Sequence, residues 1–277
     1  MGIALGLLAA LFYGASDFAA GVGGRRASSA AVAIMSQPIG LIASIIAVLA
    51  LPASLPSESA LAWGAASGFG GGMGTIALYR GLTVGSMGVV APLSAVLAAA
   101  LPAMIGIATG DSLSSVQVAG LALALPGIAL ISLQSPGPVD SGRAGVAEGL
   151  LAGAGFALLF IGLARAGTSA GAWPLVPCQA MAVATVLALG LGLGQPAGTW
   201  AGARLPAVIT GVLGGGANLL YLAATGKGQL SIVAVLTALY PAVTILLARG
   251  LLHEHWTRVQ VVGLALSAVA IGLISVG

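Results

Sequence analysis

Ten apolar runs of about 20 residues follow one another along the chain, and each has the length an α-helix needs to cross a bilayer. They fall at about 3–22, 31–51, 60–79, 89–108, 116–133, 146–165, 172–193, 205–222, 231–252 and 258–276 of the 277 residues. In hydrocarbon every backbone polar group needs an internal partner, so runs of this kind fold as helices. The breaks carry turn chemistry: GGRRASS after the first run, PASLPSES after the second, QSPGPVDSG after the fifth and GQPAGTW after the seventh. Only 5% of the residues are charged and 59% are apolar, where a soluble domain carries about 25% charged residues. The fold class expected is an all-α membrane protein of ten transmembrane helices, with no room for a soluble domain of ordinary size.

Several functions are excluded on the same grounds. Cys178 is the single cysteine, so no intramolecular disulfide or cysteine-based zinc site is available, and its apolar setting marks a small buried hydrophobe. The net charge is +3, but the basic residues are scattered singly, which leaves nucleic acid without an electrostatic footprint. The opening segment MGIALGLLAALFYGASDFAAG has no basic stretch before its apolar run and carries Asp17 inside it. It reads as a retained first helix and not as a cleaved signal.

A shift of 143 residues aligns the chain with itself. It lays GLLAALFYG (6–14) on GLLAGAGFA (149–157), and Gly68, Gly71 and Gly72 on Gly211, Gly214 and Gly215. It also lays VAPLSA (90–95) on VAVLTA (233–238), and Val116, Gln117 and Gly120 on Val259, Gln260 and Gly263. Blocks in one register point to a duplicated five-helix unit, residues 1–138 and 139–277. An odd number of helices per copy gives the copies opposite membrane orientations. Such inverted repeats are the usual construction of secondary transporters, with the substrate site near the midplane between the halves.

Orientation follows from the basic residues. Arg25, Arg26, Arg80, Arg143, Arg204, Arg249 and Arg258 fall on one side of the expected topology, and Arg165 and Lys227 on the other. By the positive-inside rule the first side is cytoplasmic, so both termini are expected outside a bacterial inner membrane.

With the repeat in place, the sequence resembles the drug/metabolite transporter (DMT) superfamily, specifically its ten-helix EamA-type exporters. The resemblance is carried most specifically by the end of each half. Gly110-Asp111, then Gln117 and Gly120, precede GIALIS (127–132); Glu254, then Gln260 and Gly263, precede IGLIS (271–275). The segment LFYGASDFAAG (11–21) is similar to the family's opening helix, with Asp17 as a departure from its pattern. Membership implies export of amino acids, nucleosides, drugs or other small metabolites.

The polar residues within spans are the candidates for such a task. A carboxylate inside a span costs several kcal/mol and faces a cavity or a partner. Asp17 is therefore the candidate proton carrier, since desolvation disfavours its charged form and protonation can alternate with substrate binding. The structural alternative is an ion pair with Arg25, Arg26 or Arg80. Gln37 and Gln179 fall in oppositely oriented equivalent regions of the two copies, and Asn218 follows the GxxGGG run of the eighth helix. All three can hydrogen-bond a polar substrate or a neighbouring helix. Aromatic residues are only 5% of the chain, so Tyr13, Tyr79, Phe156, Phe160, Tyr221 and Tyr240 within spans are candidates to hold an apolar or aromatic substrate by stacking, or a cation on a ring face. Trp63, Trp173, Trp200 and Trp256 are expected as interfacial anchors.

Other features have structural readings. The pairs Gly68/Gly72, Gly70/Gly74, Gly149/Gly153, Gly190/Gly194 and Gly211/Gly215 form small-residue faces for close helix contact. Pro102 and Pro241 are candidate bends. Asp111 and Glu254 are expected to stabilise the N-termini of the fifth and tenth helices. His253 and His255 are two apart and do not share a helix face, so no metal site is expected. Gly167-Thr-Ser-Ala-Gly171 fits the hydrolase expression G-x-S-x-G, yet it falls in a loop between membrane helices. Gly226-Lys227-Gly228 lacks the rest of a P-loop, so a gradient rather than ATP would supply energy, or the protein is a uniporter. The reading is a secondary exporter of small metabolites with no cofactor, whose partners are a small-molecule substrate and the lipid bilayer. Two fused copies make a monomer sufficient, and lipid-facing small-residue faces offer a dimer surface. The alternative class is an intramembrane enzyme, which needs a set of catalytic polar groups at one depth, or a lipid flippase.

Overall fold

The computed structural model describes residues 1–27, 29–51, 53–84, 87–133, 145–192 and 200–277. Arg143, Gly194, the QSPGPVDSG turn and most of GQPAGTW lie outside the described residues, and with them the boundary between the two expected halves. Eleven helices are described: α1 (Gly2–Arg26), α2 (Ser29–Ala50), α3 (Glu58–Val84), α4 (Met87–Ala108), α5 (Ser115–Ser132), α6 (Val146–Ala166), α7 (Leu175–Gly192), α8 (Arg204–Thr225), α9 (Leu230–Thr237), α10 (Tyr240–Leu252) and α11 (Arg258–Val276). Eight stretches are long and apolar enough to cross a membrane, counting Leu230–Leu252 as one. α3 has the length, but glycine and serine dilute it, and α7 is a shorter apolar helix. Large apolar side chains such as Ile46, Leu49, Leu205 and Val269 remain exposed on the outside of the bundle, as a lipid-facing surface requires. The chain is a multi-span all-α membrane protein.

The ninth expected span is broken in two. A proline in a helix cannot donate to the residue four before it and clashes with that carbonyl; Pro241 therefore ends the first piece at Thr237, and α10 starts at Tyr240. Pro92 and Pro102, in contrast, sit inside an unbroken α4. The broken segment is fastened to α1: the Thr237 hydroxyl donates to the Gly6 carbonyl at 3.3 Å, and the Thr244 hydroxyl to the Gly14 carbonyl at 3.1 Å.

Helices from opposite halves pack in matched pairs. α3 lies on α6 and α7 as α8 lies on α1 and α2, and α5 lies on α11. The α5–α11 contact mirrors itself in the 143-residue register: a Cβ at Gly120 would meet the Ala270 carbonyl and Ile274, and one at Gly263 would meet the Gly127 carbonyl and Ile131. Each of these helices opens with a capping box, Ser114 with Gln117 and Thr257 with Gln260, which satisfies first-turn N–H groups reciprocally.

Glycine sets the closest approaches. A Cβ on Gly155 would lie 2.6 Å from the Gly70 oxygen and 2.7 Å from the Gly74 nitrogen, so α3 and α6 meet backbone to backbone. Neither acidic turn residue does what its position led us to expect. Asp111 Oδ2 accepts from the Ser231 N–H at 2.8 Å and so caps α9, while Glu254 pairs with Arg25 across the bundle. Both are drawn off by unpaired donors on neighbouring elements, since Ser114 and Thr257 already cap α5 and α11.

The glycine contacts give a direct test. Gly155→Ala is expected to destabilise the folded protein by about 1–3 kcal/mol through overpacking, whereas Gly272→Ala, whose Cβ would meet nothing, is neutral or better. Thermal unfolding of the detergent-solubilised variants measures both; equal midpoints would remove the α3–α6 approach as a determinant of the fold.

Candidate functional site

A cavity of about 740 Å³ enters the bundle from the end that carries Arg25 and Glu254, within the usual volume of a small-molecule site. α1 supplies Tyr13 and Asp17, one helical turn apart and so on one face, and α6 supplies Phe156 and Phe160 at the same spacing. α2 adds Gln37, α3 Tyr79, α7 Gln179, α8 Asn218 and α10 Tyr240. Gly71 and Gly214 also line it, where a Cβ would stand beside the lining residues Leu159 and Ser16, while a Cβ at Gly215 would abut Gly40 and Ala43 of α2.

The floor is polar but well satisfied. The Tyr13 hydroxyl donates to Asn218 Oδ1, which ties α1 to α8. One turn nearer the mouth the same helices exchange two bonds, Ser16 Oγ to the Thr210 carbonyl at 3.0 Å and Thr210 Oγ1 to the Ser16 carbonyl at 3.3 Å. The Tyr13 ring meets Phe160 edge-on at 5.9 Å and Tyr240 at 6.1 Å. Beneath this cluster lie fully buried apolar residues, among them Leu163, Leu175, Leu222 and Val233, and beyond them, toward Lys227, a smaller cavity of about 340 Å³ that Leu222 also lines. The far end is fastened by Asp111 on α9 and by Gln229 Nε2, which donates to the Ser112 carbonyl at 2.8 Å.

Asp17 stands apart from this satisfied network. Its carboxylate has no ion pair or hydrogen bond among the described residues. Of the arginines that could have paired with it, Arg25 is held by Glu254, and Arg80 lies 3.7 Å from Glu148. The amides of Gln37 and Gln179 likewise spend no hydrogen bond on another described group, although Gln179 is almost fully buried. At the mouth Arg249 donates to the Glu254 carbonyl at 3.2 Å, approaches His255 Nδ1 at 3.4 Å and lies over the Trp256 ring at 5.9 Å.

Nine of the ten polar and aromatic candidates singled out in the sequence thus line one cavity, Tyr240 among them. The tenth, Tyr221, does not reach it: the side chain is fully buried, its ring 4.7 Å from that of Phe160, with its hydroxyl donating to the Phe160 carbonyl at 3.1 Å. It props Phe160 from behind. Ser36, Thr75 and Ser94 also line the cavity, but each hydroxyl bonds a carbonyl in its own helix, which occupies its donor. Among the described residues no group of three His, Cys, Asp or Glu side chains could hold a metal ion. The Gly167–Gly171 segment is a turn with positive φ at both glycines, not a strand-to-helix elbow.

Comparison with known proteins agrees with this architecture. Residues 143–276 match the EamA-like transporter family. A solved crystal structure of a protein is similar to this chain with a TM-score of 0.75 over 99% of this chain and 97% of its own, at 18% identity; that likeness shows the fold. No curated protein matches the chain. The likeness to the EamA-like transporter family thus lies in residues 143–276, and the described helices make the chain a multi-span all-α membrane protein.

The floor of the cavity yields one expectation. Tyr13→Phe removes the hydroxyl that joins α1 to α8, and an interhelical hydrogen bond in a membrane is worth about 0.6–2 kcal/mol. Its unfolding midpoint in detergent should fall accordingly, and combining it with Asn218→Ala should add little to the Asn218→Ala effect. Additive losses would mean the two side chains act independently.

Proposed function

We propose that this protein is a secondary exporter of small metabolites, about the size of an amino acid, working by alternating access between two inverted five-helix repeats, residues 1–138 and 139–277. The observation that carries the reading is a large cavity open at the end that carries Arg25 and Glu254, separated by buried apolar residues from a smaller one toward Lys227, with a carboxylate at its wall that has no partner among the described residues. A cavity open to one side and closed to the other is the geometry an alternating-access cycle passes through. The matched packing of α3 on α6 and α7 with α8 on α1 and α2 supports a rocking of one half against the other.

In this reading the mouth is cytoplasmic. Among the described residues the basic side chains Arg25, Arg26, Arg80, Arg204, Arg249 and Arg258 belong to that end and Arg165 and Lys227 to the other, so the positive-inside rule puts both termini outside a bacterial inner membrane. Asp17 is the coupling group. Ionised, it holds substrate from the cytoplasm; protonated from the far side, it releases it. Tyr13, Tyr79, Phe156 and Phe160 form the walls and Gln37, Gln179 and Asn218 the polar contacts, with Tyr221 as a support. One copy of the chain contains the whole cavity, so a monomer suffices.

Transport from proteoliposomes preloaded with a mixed metabolite pool tests the function. Wild-type protein should move a solute faster under an imposed proton gradient, and Asp17→Asn should abolish that acceleration. The same gradient response in both proteins would reduce Asp17 to a structural acid, and no movement of any solute by folded protein would sink the exporter. Orientation has its own test, in a Cys178→Ala background labelled in intact cells with an impermeant maleimide. Lys227→Cys should react and Arg26→Cys should not; the reverse pattern inverts the topology.

A further inference from the structure

We infer that the solute this cavity takes is a monovalent organic cation, an amine with an apolar or aromatic body and no carboxylate of its own. The inference rests on the reading above only in treating the cavity as a place a solute enters. It follows from the charge inventory of the walls. Besides Asp17, the charged or basic side chains that line the cavity are Arg25, Glu254 and His255, all at the mouth. Arg25 and Glu254 neutralise one another, and the His255 ring faces the Arg249 guanidinium. Among the described residues the interior therefore presents one unpaired negative charge and no unpaired positive one.

An ammonium group answers that charge directly, and the surfaces around it suit the rest of an amine. Tyr13, Tyr79, Phe156, Phe160 and Tyr240 line the same space as the carboxylate, and ring faces attract cations while their edges and planes bury apolar bodies. The uncommitted amides of Gln37 and Gln179 supply acceptors for the remaining ammonium protons. The two copies differ at the point that matters: in the 143-residue register Tyr13 corresponds to Phe156, and Asp17 corresponds to Phe160. A carboxylate stands in α1 where the other copy has a ring, so the charge is additional to a paired aromatic frame. An amino acid would fit by volume, but its carboxylate would enter a poorly solvated space beside Asp17 with no cation to receive it, and an unpaired buried charge is costly.

Isothermal titration of the purified full-length chain in nanodiscs at neutral pH, with phenylethylamine, phenylalanine and phenylacetate, separates these cases. The three probes share a ring and differ in charge. Phenylethylamine should bind about tenfold or more tightly than phenylalanine, phenylacetate should give no binding, and Asp17→Asn should weaken phenylethylamine by about tenfold or more. Asp17→Glu should keep the order of the three. Phenylalanine or phenylacetate binding as well as the amine overturns the assignment, as does full amine affinity in Asp17→Asn or no amine binding at millimolar concentration. If Asp17→Asn does not fold, the order of the probes on the wild-type protein decides. Binding is read here without transport. Amine bound through Asp17 by a protein that moves nothing would sink the exporter and keep the cation site, and Asp17-independent transport of an anion would do the opposite.

Discussion

Backbone-to-backbone approach at glycine is the contact on which the rest of this bundle depends. Lipid offers helices no hydrophobic reason to associate, so dispersion between close surfaces has to hold them, and close surfaces require missing side chains. The α3–α6 crossing at Gly70, Gly74 and Gly155 and the α5–α11 crossing at Gly120, Gly127 and Gly263 bring main-chain atoms to distances that any Cβ would prevent. α1 uses the same device at Gly14, where a Cβ would lie 2.5 Å from the Tyr240 oxygen, and threonine hydroxyls from the broken ninth span reach the carbonyls of Gly6 and Gly14. With the periphery fixed in this way, the interior is free to hold a space.

That space differs from the rest of the protein in how its polar groups are satisfied. Elsewhere most find partners: threonine hydroxyls bond carbonyls of their own or a neighbouring helix, Asp111 caps α9, and Glu254 meets Arg25, while the buried Ser231 and Ser267 hydroxyls have none among the described residues. In the cavity the Asp17 carboxylate and the Gln37 and Gln179 amides are left over. Polar groups without protein partners at membrane depth are expensive and tolerated where they line a water-filled passage. Arg25 and Arg80 do not relieve Asp17, because Arg25 is paired with Glu254 and Arg80 lies beside Glu148. The pairs at the mouth thus do more for the interior charge than for stability, exposed as they are.

Much of the architecture was legible in the chain. Run length and the scarcity of charge defined the class, and Asp17, the glutamines and most of the aromatics of the cavity stood out as costly or rare residues within apolar runs. The failures share a cause. Tyr221 turns into the core and Tyr240 into the cavity, yet both are tyrosines in apolar helices. A helix that is apolar on every side carries no pattern from which its rotation can be read. Likewise Asp111 and Glu254 were close to helix starts in sequence but closer in space to other donors.

The sequence by itself determined that this chain crosses a membrane many times and where its helices begin, because the cost of burying charge and unpaired backbone in hydrocarbon is paid residue by residue along the chain. It also determined that one carboxylate would have to be accommodated within a span. Only the tertiary structure decided which faces meet. Helix rotation and partner choice follow from the fit of glycine gaps to opposing backbones, a property of pairs of surfaces far apart in sequence. That fit leaves Asp17 unpaired beside aromatic rings, commits Arg25 to Glu254, and puts Tyr221 behind the wall it supports.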